Sequence, residues 1–172
     1  MDVALRELQN MWDDLNKETL DQIVQKLTES QRNLIIGLGA GRMGYSLKAF
    51  IMRLSHIGYL TYMLNDTSLP RVDSDTVVLI NSSSGETPTM KLYIDQCRNA
   101  GCFIISFSAD ANSYIASNSN LVLNIPTIKT KQIMKTVFEQ FSYILFDHIA
   151  SEIIKSSKAE IAAIEKNHSI LE

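Results

Sequence analysis

Asn33-Leu34-Ile35-Ile36 runs into Gly37-Leu38-Gly39-Ala40-Gly41-Arg42-Met43-Gly44, and the character of the chain changes across that join. The apolar half is compact and bounded by glycine, which reads as a buried strand. The glycine-rich half meets the pattern G-x-G-x-x-G at Gly39, Gly41 and Gly44. It opens onto Leu47, Phe50, Ile51, Leu54 and Ile57 at helix spacing, and Gly58 stops that helix. A strand passing through glycines into an amphipathic helix is the first half of a β-α-β unit.

The same alternation repeats outward from this join. Residues 59–64, 76–80, 102–107 and 121–125 are further β-rich runs, making five with the first. Thr87-Pro88 opens a helix whose apolar face is Met90, Tyr93, Ile94 and Cys97, and Asn99-Ala100-Gly101 ends it. Upstream, Val3, Leu5, Leu8, Met11, Trp12 and Leu15, then Leu20, Ile23, Val24 and Leu27, form two amphipathic helices separated near Asn16-Lys17. A last helical pattern runs from about residue 131 to 155. Strands that are apolar throughout, alternating with helices, predict an α/β fold: a parallel sheet of five strands with helices on both faces. One domain is expected over residues 1–172, with N-terminal helices over 1–30, a sheet core over 31–126 and C-terminal helices over 127–172.

Composition narrows the function classes. The chain has 172 residues, 45% of them apolar, and 16 Lys+Arg against 19 Asp+Glu leave a net charge of −3. That balance lacks the basic stripe of a nucleic-acid binder. No apolar run approaches the ~20 residues of a membrane span, and the acidic, helix-patterned N-terminus is unlike a secretory signal. Cys97 and Cys102 stand without a histidine beside them, so reduced packing thiols, no metal site and a cytoplasmic location are expected.

Parallel sheets bind ligands at the carboxyl ends of their strands. At the first such end, the glycine loop has the context of a dinucleotide fingerprint, with Asp66 about 20 residues on where a ribose-binding acid would stand. A tight turn needing glycine explains the same pattern. Arg42 turns the loop toward an anion, which brings Gly41 and Arg42 into the candidate ligand set. The third strand ends in Asn81-Ser82-Ser83-Ser84-Gly85-Glu86-Thr87, with four Ser/Thr in the last six residues and a helix beginning directly after. Hydroxyls at a helix N-terminus suit a phosphate, since free N–H groups and the positive end of the dipole point at it. Capping of the helix by Ser84 or Thr87 is the alternative, but a cap uses only one hydroxyl. In the last helix Glu139 lies beside the apolar Val137, Phe138 and Phe141. It reads either as a proton-transferring base or as a solvated residue on the helix flank.

With these residues in view, the chain resembles the sugar isomerase (SIS) domain, and more narrowly the 6-phospho-3-hexuloisomerase branch. The likeness rests on residues 39–44, on 48–54 and 56–58, on Ser82-Ser83-Ser84-Gly85-Glu86-Thr87, on Phe138-Glu139-Gln140 and on His168-Ser169-Ile170-Leu171-Glu172. It implies a three-layer αβα sandwich with a five-stranded parallel sheet. It also implies that Ser82, Ser84 and Thr87 hold a sugar phosphate, that Arg42 reaches the substrate, and that Glu139 is the base with His168 helping, both from an adjacent subunit of a homotetramer. Where that branch has a Pro-Met-Gly-type turn, this chain has Ile133-Met134-Lys135-Thr136. No metal or redox cofactor is implied. The implied activity is a ketose isomerisation, 3-hexulose 6-phosphate to fructose 6-phosphate through an enediol. A non-catalytic sugar-phosphate-binding module is the alternative, and a nicotinamide-dependent oxidoreductase would leave the second phosphate loop unexplained.

Overall fold

Successive buried residues of the central strands belong to opposite faces of the sheet, and this alternation sorts the helices into layers. The computed structural model describes residues 2–157 and Asn167. Helices α1 (Asp2–Asp13) and α2 (Lys17–Glu29) come first, the second capped by Asn16, whose side chain accepts from the Thr19 N–H at 2.9 Å. Then follow β1 (Leu34–Gly39), α3 (Gly41–His56), β2 (Leu60–Met63) and β3 (Val77–Asn81). The remainder is α4 (Pro88–Asn99), β4 (Phe103–Ser108), the short α5 (Tyr114–Ser117), β5 (Leu121–Asn124) and α6 (Thr136–Ser157).

The five strands are parallel in the order β2-β1-β3-β4-β5. From β1 the chain goes to β2 on one side and then crosses to β3 on the other, so the switch point of the sheet lies between β1 and β3. Ile35, Val77, Leu79, Ile105, Phe107 and Leu123 share one core cluster with apolar residues of α2, α3 and α6. Their strand neighbours Ile36, Leu38, Val78, Ile80 and Ile104 share the other with α4 and Ile115 of α5. The αβα sandwich is therefore as expected, with the larger helical layer on the α3–α6 side. There Phe146 of α6 stacks on Phe50 of α3 at 5.0 Å between centroids and meets Phe107 edge-on at 4.9 Å. Phe141 and Leu145 are core residues of this layer, 1% and 0% exposed, so they are not spare apolar surface for a partner subunit.

The G-x-G-x-x-G pattern has a packing explanation. A Cβ on Gly44 would lie 2.6 Å from the Gly39 carbonyl oxygen, and one on Gly39 would lie 2.8 Å from the Gly44 Cα. The two glycines let the end of β1 touch the first turn of α3, whether or not a dinucleotide is present.

The last helix departs from expectation. It begins at Thr136, not near residue 131, and Met134 has φ 54°. Local and long-range bonds take precedence over helical periodicity here. The Thr130 hydroxyl accepts from the Gln132 N–H at 3.0 Å, and the Gln132 side chain donates to Glu7 of α1 at 2.8 Å. The segment 126–135 consequently lies as irregular chain between β5 and α6. The single turn α5, capped by Ser113, has no apolar periodicity to announce it.

Candidate anion and proton-transfer site

At the switch point, Ala40 and Met43 from the β1–α3 turn, Asn81, Ser82, Ser83, Ser84 and Thr87 from the end of β3, and Lys135 from before α6 line a cavity of about 150 Å³. Asn81 is fully buried and ties the floor to α3, its side-chain amide donating to Ser46 Oγ at 2.9 Å and to the Met43 carbonyl at 3.2 Å. Its Oδ1 and the buried Ser83 Oγ have no hydrogen-bond partner among the described residues. Such buried polar atoms are costly to leave unmet and call for an explanation in the function.

The loop geometry decides against simple capping. Thr87 is the N-cap of α4 and Ala40 the N-cap of α3, yet neither makes a side-chain capping bond. The Ser84 hydroxyl accepts from the Glu86 N–H at 3.3 Å, within the loop itself. Two helix starts therefore line the cavity without side-chain caps, an arrangement suited to an anion. Gly85 makes the turn possible with φ 63°, and a Cβ there would fall 2.0 Å from Ser113 Oγ. Behind the loop, the Glu86 carboxylate pairs with Lys91 and accepts from the Tyr114 N–H at 2.6 Å. The Lys91 bond, then the Tyr114 bond, hold that carboxyl below the usual carboxylate range.

Glu139 stands in the first turn of α6 and is 9% exposed. The solvated-flank reading is thereby overturned. Its surroundings are not apolar alone, because Arg42 Nε donates to Glu139 Oε2. Arg42 is thus engaged with the carboxylate and is absent from the lining of the serine cavity. Glu139 reaches Arg42 of its own chain, where the resemblance implied an approach from a neighbouring subunit.

Gly41 lies on the other side of the α3 N-terminus. It lines a broader depression of about 370 Å³ with Gly39, Gly44, Tyr45, Lys48, Met63, Asn65 and Asp66. Asp66 caps the turn after β2, its Oδ2 accepting from the Met63 N–H at 2.8 Å. His168 lies outside the described residues. Asn167 beside it in sequence donates to the His56 carbonyl at 3.0 Å, at the far end of α3. His148 packs against Trp12 edge-on, with ring centroids 4.7 Å apart.

The structure thus brings together Ser82, Ser84 and Thr87, pairs Arg42 with Glu139 beside them, and sets Gly41 apart. Sequence reasoning missed Asn81 and Lys135. Asn81 carried a signal, as a polar residue closing an otherwise apolar strand. Lys135 carried none, because the periodicity places it inside a helix running from about residue 131, whereas α6 begins at Thr136.

A model of the SIS domain family matches residues 26–150. The chain belongs to the SIS domain family. Every residue lining the serine cavity, and the Arg42–Glu139 pair, falls inside the matched SIS span. A Methanocaldococcus jannaschii protein named 3-hexulose-6-phosphate isomerase is 27% identical, over 88% of this chain and 83% of its own. A Bacillus subtilis protein of the same name is 25% identical, over 98% and 95%. Among solved SIS-like structures, one from Methanococcus jannaschii aligns with TM-score 0.86 and 25% identity, over 99% of this chain and 96% of that one. That crystal structure is described as inferring a molecular function of 3-hexulose-6-phosphate isomerase.

Proposed function

We infer that this SIS protein is a sugar-phosphate isomerase that converts 3-hexulose 6-phosphate to fructose 6-phosphate. The observation that carries this reading is a buried carboxylate, Glu139, bonded to a cation beside a cavity whose buried Ser83 hydroxyl has no partner among the described residues and whose helix starts carry no side-chain caps. Two relatives of comparable length carry the name of that reaction.

The parts divide by chemistry. Ser82, Ser83, Ser84 and Thr87 anchor the phosphate, remote from the reacting carbons, and that binding energy orients the carbonyl end. Glu139 removes the proton from C2, and the electrons move to give an enediolate across C2 and C3. Arg42 follows the developing negative charge on O3, the kind of stabilisation that acts most strongly out of water. Transfer of the hydroxyl proton between O2 and O3 and return of the carbon-bound proton to C3 complete the isomerisation. A 3-ketohexose phosphorylated on O6 closes no five- or six-membered ring, so the site needs no ring-opening group.

His168 enters through a second copy of the chain. The 16 residues of α3 span about 24 Å, and Asn167 is bonded at the end opposite Gly41 and Arg42. In this reading His168 serves a neighbour's site, and the protein is a homo-oligomer, a tetramer, with composite active sites.

The Arg42–Glu139 pair also favours a second reading, binding without turnover, if the carboxylate never leaves the guanidinium. Incubation of the protein with 3-hexulose 6-phosphate, with NMR detection of fructose 6-phosphate, separates the two. Turnover establishes the isomerase, whereas tight binding with no product establishes the non-catalytic module.

A further inference from the structure

The cavity holds an unspent positive charge. Lys135 lines it beside Ser82, Ser83, Ser84 and Thr87. Among the described residues its ammonium has neither an ion pair nor a hydrogen bond. It stands one residue before α6, where the helix dipole opposes a cation. Arg42, the other cation nearby, already has Glu139 as its partner, so that pair contributes no net charge. A buried hydroxyl without a partner among the described residues, Ser83 Oγ, lies in the same lining. A doubly charged phosphate placed among them would accept from Ser83, from the uncapped start of α4 and from Lys135 together.

We propose that Lys135 is the phosphate-binding cation of this site and its selector for phosphorylated ligands, leaving Arg42 to the reacting end of the sugar. This rests on the isomerase reading for the identity of the ligand, but not for the existence of the anion site. A lysine on irregular chain is suited to the task. Its flexible stem delivers a compact point charge, and segment 126–135 can bring it onto the ester once the sugar is seated.

The test uses the full-length protein with inorganic phosphate and fructose 6-phosphate as probes, and fructose as the uncharged control. Lys135→Met should weaken binding of both anions on the order of 10–100-fold, the range for a hydrogen bond to a charged group. Lys135→Arg should restore most of it, and fructose should be unaffected. In kinetics the loss should fall on KM, with kcat within about threefold of wild type. A circular dichroism melt checks that Lys135→Met is folded. Equal anion affinity in wild type and Lys135→Met overturns the assignment, and so does a loss in kcat alone. Phosphate binding that depends on Lys135 in a protein without isomerase activity would sink the isomerase reading and keep the anion site. No stabilisation of the wild type by either anion sinks both.

Discussion

Arg42 Nε donates to Glu139 Oε2, joining the first turn of α3 to the first turn of α6 beside the open end of the sheet. The partners are unequal, with 65% of the Arg42 side chain exposed and 12% of that of Glu139. The guanidinium keeps its other N–H groups in contact with water and can offer them to a ligand while Nε holds the carboxylate. The carboxylate cannot leave, and loss of its partner exposes it to the penalty of an uncompensated buried charge.

The first prediction follows from that asymmetry. Glu139→Gln keeps the shape and removes the basicity, so single-turnover isomerisation should slow by at least ~10²-fold, with substrate affinity little changed. An unaltered rate in an active protein would place the base elsewhere.

Ser83→Ala should separate stability from function. The hydroxyl it removes has no partner among the described residues, so thermal stability should hold or rise slightly. Affinity for a sugar phosphate should fall by about 1.5–3 kcal/mol, as read by calorimetry. A destabilised variant with undiminished affinity would mean that the hydroxyl serves the fold.

Gly85→Ala tests the turn that shapes the cavity. A methyl group there would sit 2.0 Å from Ser113 Oγ on a residue with φ 63°. Chemical denaturation should show a loss of roughly 2–4 kcal/mol, from strain and steric overlap together. Ser113→Gly in the same chain should recover the steric part only.

Part of this was legible in the sequence. Leu34, Ile35 and Ile36 leading into Gly39 and Gly44 set the strand-turn-helix unit, because only glycine allows that approach of backbones. The serine loop was equally plain, since its chemistry is written in consecutive residues. What escaped was long-range. Gln132 bonds to Glu7, 125 residues away in sequence, and draws residues 131–135 out of the helix that their periodicity suggested. Lys135 therefore reaches the cavity from a segment read as helix. The Arg42–Glu139 bond is likewise formed by the packing of α3 on α6, and spacing along either helix carries no trace of it.

Stability should decline in alkali through two buried groups. Burial pushes the Tyr59 phenol up to about 12 from an ordinary 10.0, and the Cys97 thiol up to about 12 from 9.0. Both folded values exceed the unfolded ones. Their contribution is thus complete below pH 9 and is lost as pH rises toward 12, where the unfolded chain sheds protons that the folded one keeps. Urea midpoints at pH 8 and pH 11 should differ, and Tyr59→Phe should narrow the gap. Tyr59→Phe should also cost about 1 kcal/mol at pH 8, through the lost 3.0 Å bond to the Leu27 carbonyl.

Complementation tests whether active sites are shared. Removal of residues 168–172 should lower turnover by withdrawing His168, and Glu139→Gln should lower it through the base. Mixed and refolded together, the two defective chains should regain activity, because a truncated chain supplies Glu139 to its own site and its neighbour supplies the histidine. No recovery, or a monomeric mass by light scattering, would contradict the composite site.

All five residues of β3 are buried, with Val78, Leu79, Ile80 and Asn81 at 0% exposure, and strands flank it on both sides. Its amides should be among the last to exchange with deuterated solvent, on the timescale of global opening. The floor of the cavity, Asn81, is the end of that strand, whereas Lys135 rides on chain held by few bonds. A ligand entering the cavity should therefore leave the deuterium uptake of the floor unchanged and slow that of residues 126–135, so that its arrival is registered in the wall.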